Sequence, residues 1–151
     1  MAQSLGAVYI HVVFSTKNRV PFLADLTLRA DLHGVILGIS RDLDCPSLQV
    51  GGVEDHVHLL ARLHRTSSIA DWVKEVKRRS SLWMKETVPE LTDFAWQSGY
   101  GAFSVGYTQT AATTRYIANQ VEHHRQHTYR DEYRRLLTLH GVEFDERYVW
   151  D

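Results

Sequence analysis

The segment SLQVGGVEDHVHLLARL, residues 47–63, decides the fold. Pro46 and the Gly51-Gly52 pair bracket a short strand over residues 47–50. Residues 53–55 complete a turn. Residues 55–63 then alternate well enough to be the second arm of a hairpin, because a strand sends successive side chains to opposite faces. Upstream, residues 26–43 carry Leu28, Leu32, Val35, Ile36, Ile39 and Leu43, which is helical spacing. Downstream, residues 67–86 form the clearest helix. Ser67 or Ser68 can cap it, Ile69, Trp72, Val73, Val76 and Trp83 make an apolar stripe, and Pro89 lies just beyond its end.

The flanks complete the order. Residues 7–14 (AVYIHVVF) are a β-branched and aromatic run and read as a buried strand, followed by the polar loop STKNRVP at 15–21. Residues 94–107 (FAWQSGYGAFSVGY) read as one strand with a bulge or as two short ones. A third helix is expected over 108–127, and a fourth over 132–140, stopped by Gly141. The tail 142–151 is expected to end in a short extended segment. Strand, helix, hairpin, helix, strand is the β-α-β-β-α-β order of an α+β, ferredoxin-like domain, here with C-terminal helices added. An antiparallel sheet with helices on one face suits a single domain over residues 1–151.

Composition sets outer bounds. Hydrophobic residues make up 44% of the 151, enough for one core. The lone cysteine, Cys45, excludes an internal disulfide framework and a Cys-rich zinc site. No stretch approaches the ~18 apolar residues a spanning helix needs, so a soluble cytoplasmic protein with no membrane partner is expected. The net charge of −1 argues at first against a nucleic-acid partner. It is, however, the sum of unlike segments. Residues 62–85 hold seven basic residues against two acids, a net of +5, and residues 131–151 hold six acids against three arginines, a net of −3. Arg62, Lys74, Lys77, Arg78 and Arg79, with Lys17 and Arg19 of the first loop, are therefore candidate phosphate contacts. A solvated helix face is the plainer account of such a run. Trp72 and Trp83 are assigned to the core by their helical spacing.

Nine histidines are the compositional oddity. His56 and His58 stand at i and i+2, on one face of the expected strand, taken to be exposed, where two imidazoles can share a divalent metal. A chance pair of solvated histidines has the same spacing, so a third ligand is needed. Tyr116 and Gln120, at i and i+4, stack on one helix face, with His123, His124 and His127 continuing along it while Ile117 and Val121 turn inward. A glutamine amide oxygen is a hard ligand suited to Mg²⁺ or Mn²⁺. A phenol, with a pKa of about 10, is a poor nucleophile unaided. A metal that withdraws charge from a phosphodiester lets it attack, and the bond is then exchanged, not hydrolysed.

Several segments together resemble a known family. DHVHLL at 55–60 resembles the His-hydrophobe-His motif of the HUH endonuclease superfamily. RYIANQ at 115–120, followed by VEHH, looks like the catalytic helix of single-tyrosine transposases of the IS200/IS605 family. HVVFSTKNR at 11–19 and WQSGYGAFSV at 96–105 resemble that family's first strand and loop and its last strand region. The resemblance spans nearly the whole chain in the right order. It implies a ferredoxin-like fold, Tyr116 as the nucleophile, and His56, His58 and Gln120 as ligands of Mg²⁺ or Mn²⁺. It implies single-stranded DNA with a hairpin as substrate, and a 5′-phosphotyrosine intermediate with a free 3′-hydroxyl. It implies a homodimer in which the tyrosine helix of one subunit can face the histidine pair of the other, in a bacterial or archaeal cell, at the nucleoid when DNA-bound. Two alternatives stay open: a host-domesticated relative acting on repeated palindromes, and a non-catalytic ferredoxin-like binding module.

Overall fold

The computed structural model describes residues 2–151. Four strands form one antiparallel sheet: β1 (Tyr9–Ser15), β2 (Ser47–Gly52), β3 (His56–Arg62) and β4 (Gly101–Val105), in the spatial order β2-β3-β1-β4. The helices are α1 (Leu26–Asp42), α2 (Ile69–Thr87), α3 (Thr110–Ala118), α4 (Gln120–His123) and α5 (Tyr129–Leu139). This is the expected α+β architecture with its C-terminal helices. The side chain of Asp25 accepts from the Leu28 N–H to start α1, that of Ser68 from Asp71 to start α2, and that of Thr128 from Asp131 to start α5.

The helices cover both faces of the sheet, not one. On the first face, Val12, Phe14, Val57 and Leu59 pack against Leu32 and Ile36 of α1 and Trp72, Val73 and Val76 of α2. On the second, Val13 and Phe103 pack against Tyr129, Tyr133 and Leu137 of α5. A strand buried on both faces reads as a near-continuous apolar run, as residues 10–14 do apart from His11.

Four segments differ most from the sequence reading. Only residues 101–105 of the aromatic stretch are strand; Trp96 makes a single bridge to Thr16. The third helix breaks at Asn119, and helical structure stops at His123. The last helix starts at Tyr129, three residues early, and the tail forms turns instead of an extended segment. Among the described residues no helix is long and apolar enough to cross a membrane.

Candidate active site

β3 sits at the centre of the sheet, between β2 and β1, and its alternation sends Val57 and Leu59 to the α1–α2 face and His56 and His58 to the other. The two imidazoles are not exposed as expected: both are fully buried, because the C-terminal helices lie over them. Each ring is oriented by its Nδ1. Nδ1 of His56 lies 2.7 Å from Oδ1 of Asp55, and Nδ1 of His58 lies 2.8 Å from Nε2 of His11. Both Nε2 atoms are thereby turned toward the C-terminal helices.

What they meet is Glu132 of α5, buried at 3% exposure. Its Oε1 is 3.3 Å from His56 Nε2, 3.0 Å from His58 Nε2 and 3.1 Å from His124 Nε2. Its other oxygen, Oε2, accepts hydrogen bonds from the Tyr116 hydroxyl and, at 3.0 Å, from Nε2 of Gln120. Oε1 of Gln120 lies 3.2 Å from His56 Nε2 and 3.0 Å from His124 Nε2. The Tyr116 ring stands edge-on to His58, centroids 5.8 Å apart. One chain thus gathers all four residues singled out on the sequence: His56, His58, Tyr116 and Gln120. Although Tyr116 and Gln120 straddle the break at Asn119, both reach the same centre. Ile117 packs inward as expected, whereas Val121 is exposed.

The electrostatics follow from burial among a few charges. Burial alone would raise the Glu132 pKa, but the histidines around it outweigh that and hold the carboxylate well below its usual range. Burial likewise disfavours charge on His56, yet hydrogen bonds to Asp55 and Glu132 push it up to about 9. His58 goes the other way: burial, aided by the neighbouring His56 and His124, lowers it against the pull of Glu132. Burial first, and then the Glu132 charge, raise the Tyr116 phenol above its ordinary value. Tyr116 is thus held as a neutral phenol that donates to a carboxylate.

The donor set fits a divalent metal. His56, His58, His124 and Glu132 each aim one ligand atom inward, and all four atoms lie within 4.8 Å of one another. A metal-binding imidazole characteristically gives its second nitrogen to a carboxylate or another acceptor, as His56 does to Asp55. Glu132, His124 and His11 were not assigned from the sequence. A signal was there for Glu132: it falls on the stripe formed by Tyr129, Tyr133 and Leu136, an acid at a core position of its helix.

The basic residues named as candidate phosphate contacts lie apart from this centre. α2 lies on the opposite face of the sheet from the histidines. The Lys77 ammonium donates to the carbonyls of Gln97 (2.8 Å), Ser98 (3.3 Å) and Gly99 (2.7 Å), which leaves it no N–H for a phosphate. Arg78 and Arg79 bond to Glu75, and Arg62 donates to the Gly6 carbonyl. Arg19 lies over the Trp150 ring, while Lys17 and Lys74 are exposed. Arg135, with Tyr116, His11, Phe103 and Glu132, lines a cavity of about 750 Å³ beside the centre.

The site thus sets a buried His-x-His pair of the sheet against a half-buried tyrosine of α3, and comparison with known proteins gives the family in which it occurs. The chain belongs to the family described as transposase IS200 like, whose sequence pattern matches residues 4–120. Among solved structures it is similar to a protein assigned as a transposase from Deinococcus radiodurans R1, at 24% identity and a TM-score of 0.65, over 80% of this chain and 95% of that one. It is also similar to a REP-associated tyrosine transposase solved with a REP hairpin, at 17% identity and a TM-score of 0.57, over 82% of this chain and 72% of that one. No curated protein matches.

Proposed function

We propose that the chain cleaves and rejoins single-stranded DNA beside a hairpin, using Tyr116 as the nucleophile and a divalent metal, Mg²⁺ or Mn²⁺, held by His56, His58 and Gln120. The observation that carries this is the convergence of the Tyr116 hydroxyl and the two histidine Nε2 atoms on one buried carboxylate. The family membership supports it, as does the hairpin partner of the REP-associated relative.

The chemistry then follows. The metal, when bound, withdraws charge from the scissile phosphate and stabilises the departing oxygen. Tyr116 Oη attacks phosphorus, the bond to O3′ breaks, and a 5′-phosphotyrosine and a free 3′-hydroxyl result. The proton lost by the phenol is balanced by the one the 3′ oxygen gains. Glu132 aims the phenol, and the cavity beside Tyr116, with Arg135 on its wall, is where the strand is read to lie. Attack by a second 3′-hydroxyl reverses the step and joins strands without ATP. Lys17, Arg19, Arg62, Lys74, Arg78 and Arg79 stand as candidate contacts to a DNA segment away from this cavity. A homodimer with tyrosine helices exchanged between subunits is compatible with this chemistry, although within the single chain Tyr116 already faces its own histidines.

The REP-hairpin relative favours a second reading of the biology: a domesticated enzyme acting on palindromes scattered in a genome, with the same chemistry. The decisive experiment incubates the protein with hairpin-bearing single-stranded DNA and Mn²⁺ and resolves covalent adducts on a denaturing gel. The expected result is an adduct with the parent chain, none with Tyr116→Phe or with EDTA, and hairpin binding retained by the variant. An adduct on Tyr116→Phe would remove Tyr116 from the role, and binding without any adduct by the parent would favour the non-catalytic binding module.

A further inference from the structure

Glu132 and His124 lie beyond residues 4–120, the segment the family shares. Yet they are the groups on which the histidine pair converges. Glu132 is fully enclosed, and a buried carboxylate is stable only when it is paired or coordinates a metal. Among the described residues its ion-pair partners are all imidazoles, with no lysine or arginine. The distances from Oε1 to the three Nε2 atoms span 3.0–3.3 Å. Ligands bonded at about 2.0–2.2 Å to one ion lie about 3 Å apart at right angles and about 3.5 Å apart at tetrahedral angles. The separations from Oε1 match that spacing, and all four donor atoms lie within 4.8 Å of one another, close enough for a small inward shift to seat one ion among them.

We propose that Glu132 and His124 join His56, His58 and Gln120 as ligands of the same ion, so that the protein holds a transition-metal dication through three imidazoles and one carboxylate beside the Gln120 amide oxygen and fastens α5 to the sheet through it. The inference rests on the metal site of the proposed function and extends it. Oε1 faces the imidazole nitrogens and Oε2 holds the Tyr116 hydroxyl, so one carboxylate spans the metal position and the nucleophile. A set of three imidazoles suits Mn²⁺ and the later first-row dications better than Mg²⁺, which prefers oxygen ligands and retains its waters. The helix that delivers Glu132 also carries Tyr129 and Tyr133 of the second core, so ion binding and packing of α5 are coupled.

Mn²⁺ binding to the full chain without DNA, followed by calorimetry, tests this apart from activity. The parent should bind one Mn²⁺, with Mg²⁺ competing only weakly. Glu132→Gln, which keeps the shape and one acceptor oxygen, should weaken binding at least about tenfold, since even outer ligands of such sites cost 10–100-fold. Glu132→Asp, which keeps the charge but draws the carboxylate back by one methylene, should weaken it similarly. Circular dichroism shows which variant folds, and either one suffices. His58→Ala is the control and should abolish binding. If a folded Glu132 variant binds Mn²⁺ as tightly as the parent while His58→Ala does not bind, Glu132 is not a ligand and the inference fails. If His58→Ala also binds as the parent does, the metal site of the proposed function falls, and this inference with it.

Discussion

The tyrosine helix packs directly on Gly51, and Gly51→Ala is the sharpest test of how the site is assembled. Gly51 lies in β2, paired with His58 across the ladder. A Cβ built there would sit 2.5 Å from the Ile117 carbonyl oxygen and 3.0 Å from Ile117 Cγ2. Real Cβ contacts essentially never fall below 3.0 Å, and ordinary contact begins at 3.4 Å, so the gap must open by 0.5 to 0.9 Å. The obstructing atom is backbone, so no side-chain rotation relieves it. Either α3 lifts or the edge strand β2 shifts, and both separate the residue next to Tyr116 from the strand beside His58. Overpacking of this kind costs about 1–3 kcal/mol, which for a chain of this size lowers Tm by roughly 3–10 °C. A displacement near 1 Å in a reacting group costs about 100-fold in rate. The expected outcome is a 10- to 100-fold slower single-turnover adduct formation, read on a denaturing gel well below the lowered Tm, with hairpin binding by gel shift unchanged. A variant with the parent's Tm and adduct rate would refute the claim that β2 sets the height of the tyrosine helix.

Two further outcomes concern residues away from the centre. Burial, and after it the charge of Arg29, lowers the pKa of His33 to about 4 from an ordinary value near 6.5. The unfolded chain then binds this proton more readily than the folded one, so the stability His33 contributes is complete above pH 6.5 and is lost as pH falls toward 4. Between pH 7 and pH 5 that loss is about 2 kcal/mol, and His33→Gln should remove it from the pH dependence of urea unfolding; an unchanged dependence would show that His33 is not the group responsible. Lys77→Met removes the donor to three carbonyls of the loop that leads into β4, and should cost about 2 kcal/mol, or roughly 6 °C in Tm, while leaving the salt dependence of DNA binding unchanged. A shallower salt slope in a variant of parental Tm would return Lys77 to the list of phosphate contacts.

How much of this was legible in the sequence depends on the range over which each signal acts. The hairpin at 47–63 and the helices on either side of it carry their own periodicity, and their ends are set by residues one to three positions away, such as Ser68 at the start of α2. Such signals survive without knowledge of the partner. The expectation of helices on one face failed for a different reason. An element's period shows which side is apolar, but not what covers it, and only the apolar run of β1, interrupted once by His11, hinted that both sides would be covered. The break at Asn119 is set by the need for α3 to pack on Gly51 while α4 turns His124 toward the histidine pair, a tertiary demand with no breaker residue to announce it.

The same distinction sorts the site. His56 and His58 share a strand and Tyr116 and Gln120 a helical face, so spacing alone could pair them. Glu132 comes from another helix and meets the histidines across 74 residues of chain, and no local pattern encodes that meeting. What the sequence does encode is the anomaly that requires it. An acid on the apolar stripe of α5 has to find compensation in the interior, because leaving it uncompensated would cost several kcal/mol. Four imidazoles, those of His56, His58, His123 and His124, are the compensation the fold offers, and His56, pushed up to about 9, brings positive charge to the pair. The charge that looks misplaced on α5 and the surplus of histidines are therefore one feature seen from two ends of the chain: an acid that needs positive partners and a set of rings whose nitrogens need something to hold. The basic face of α2 belongs to a separate problem, since it lies across the sheet from this centre, and its arginines already answer to Glu75.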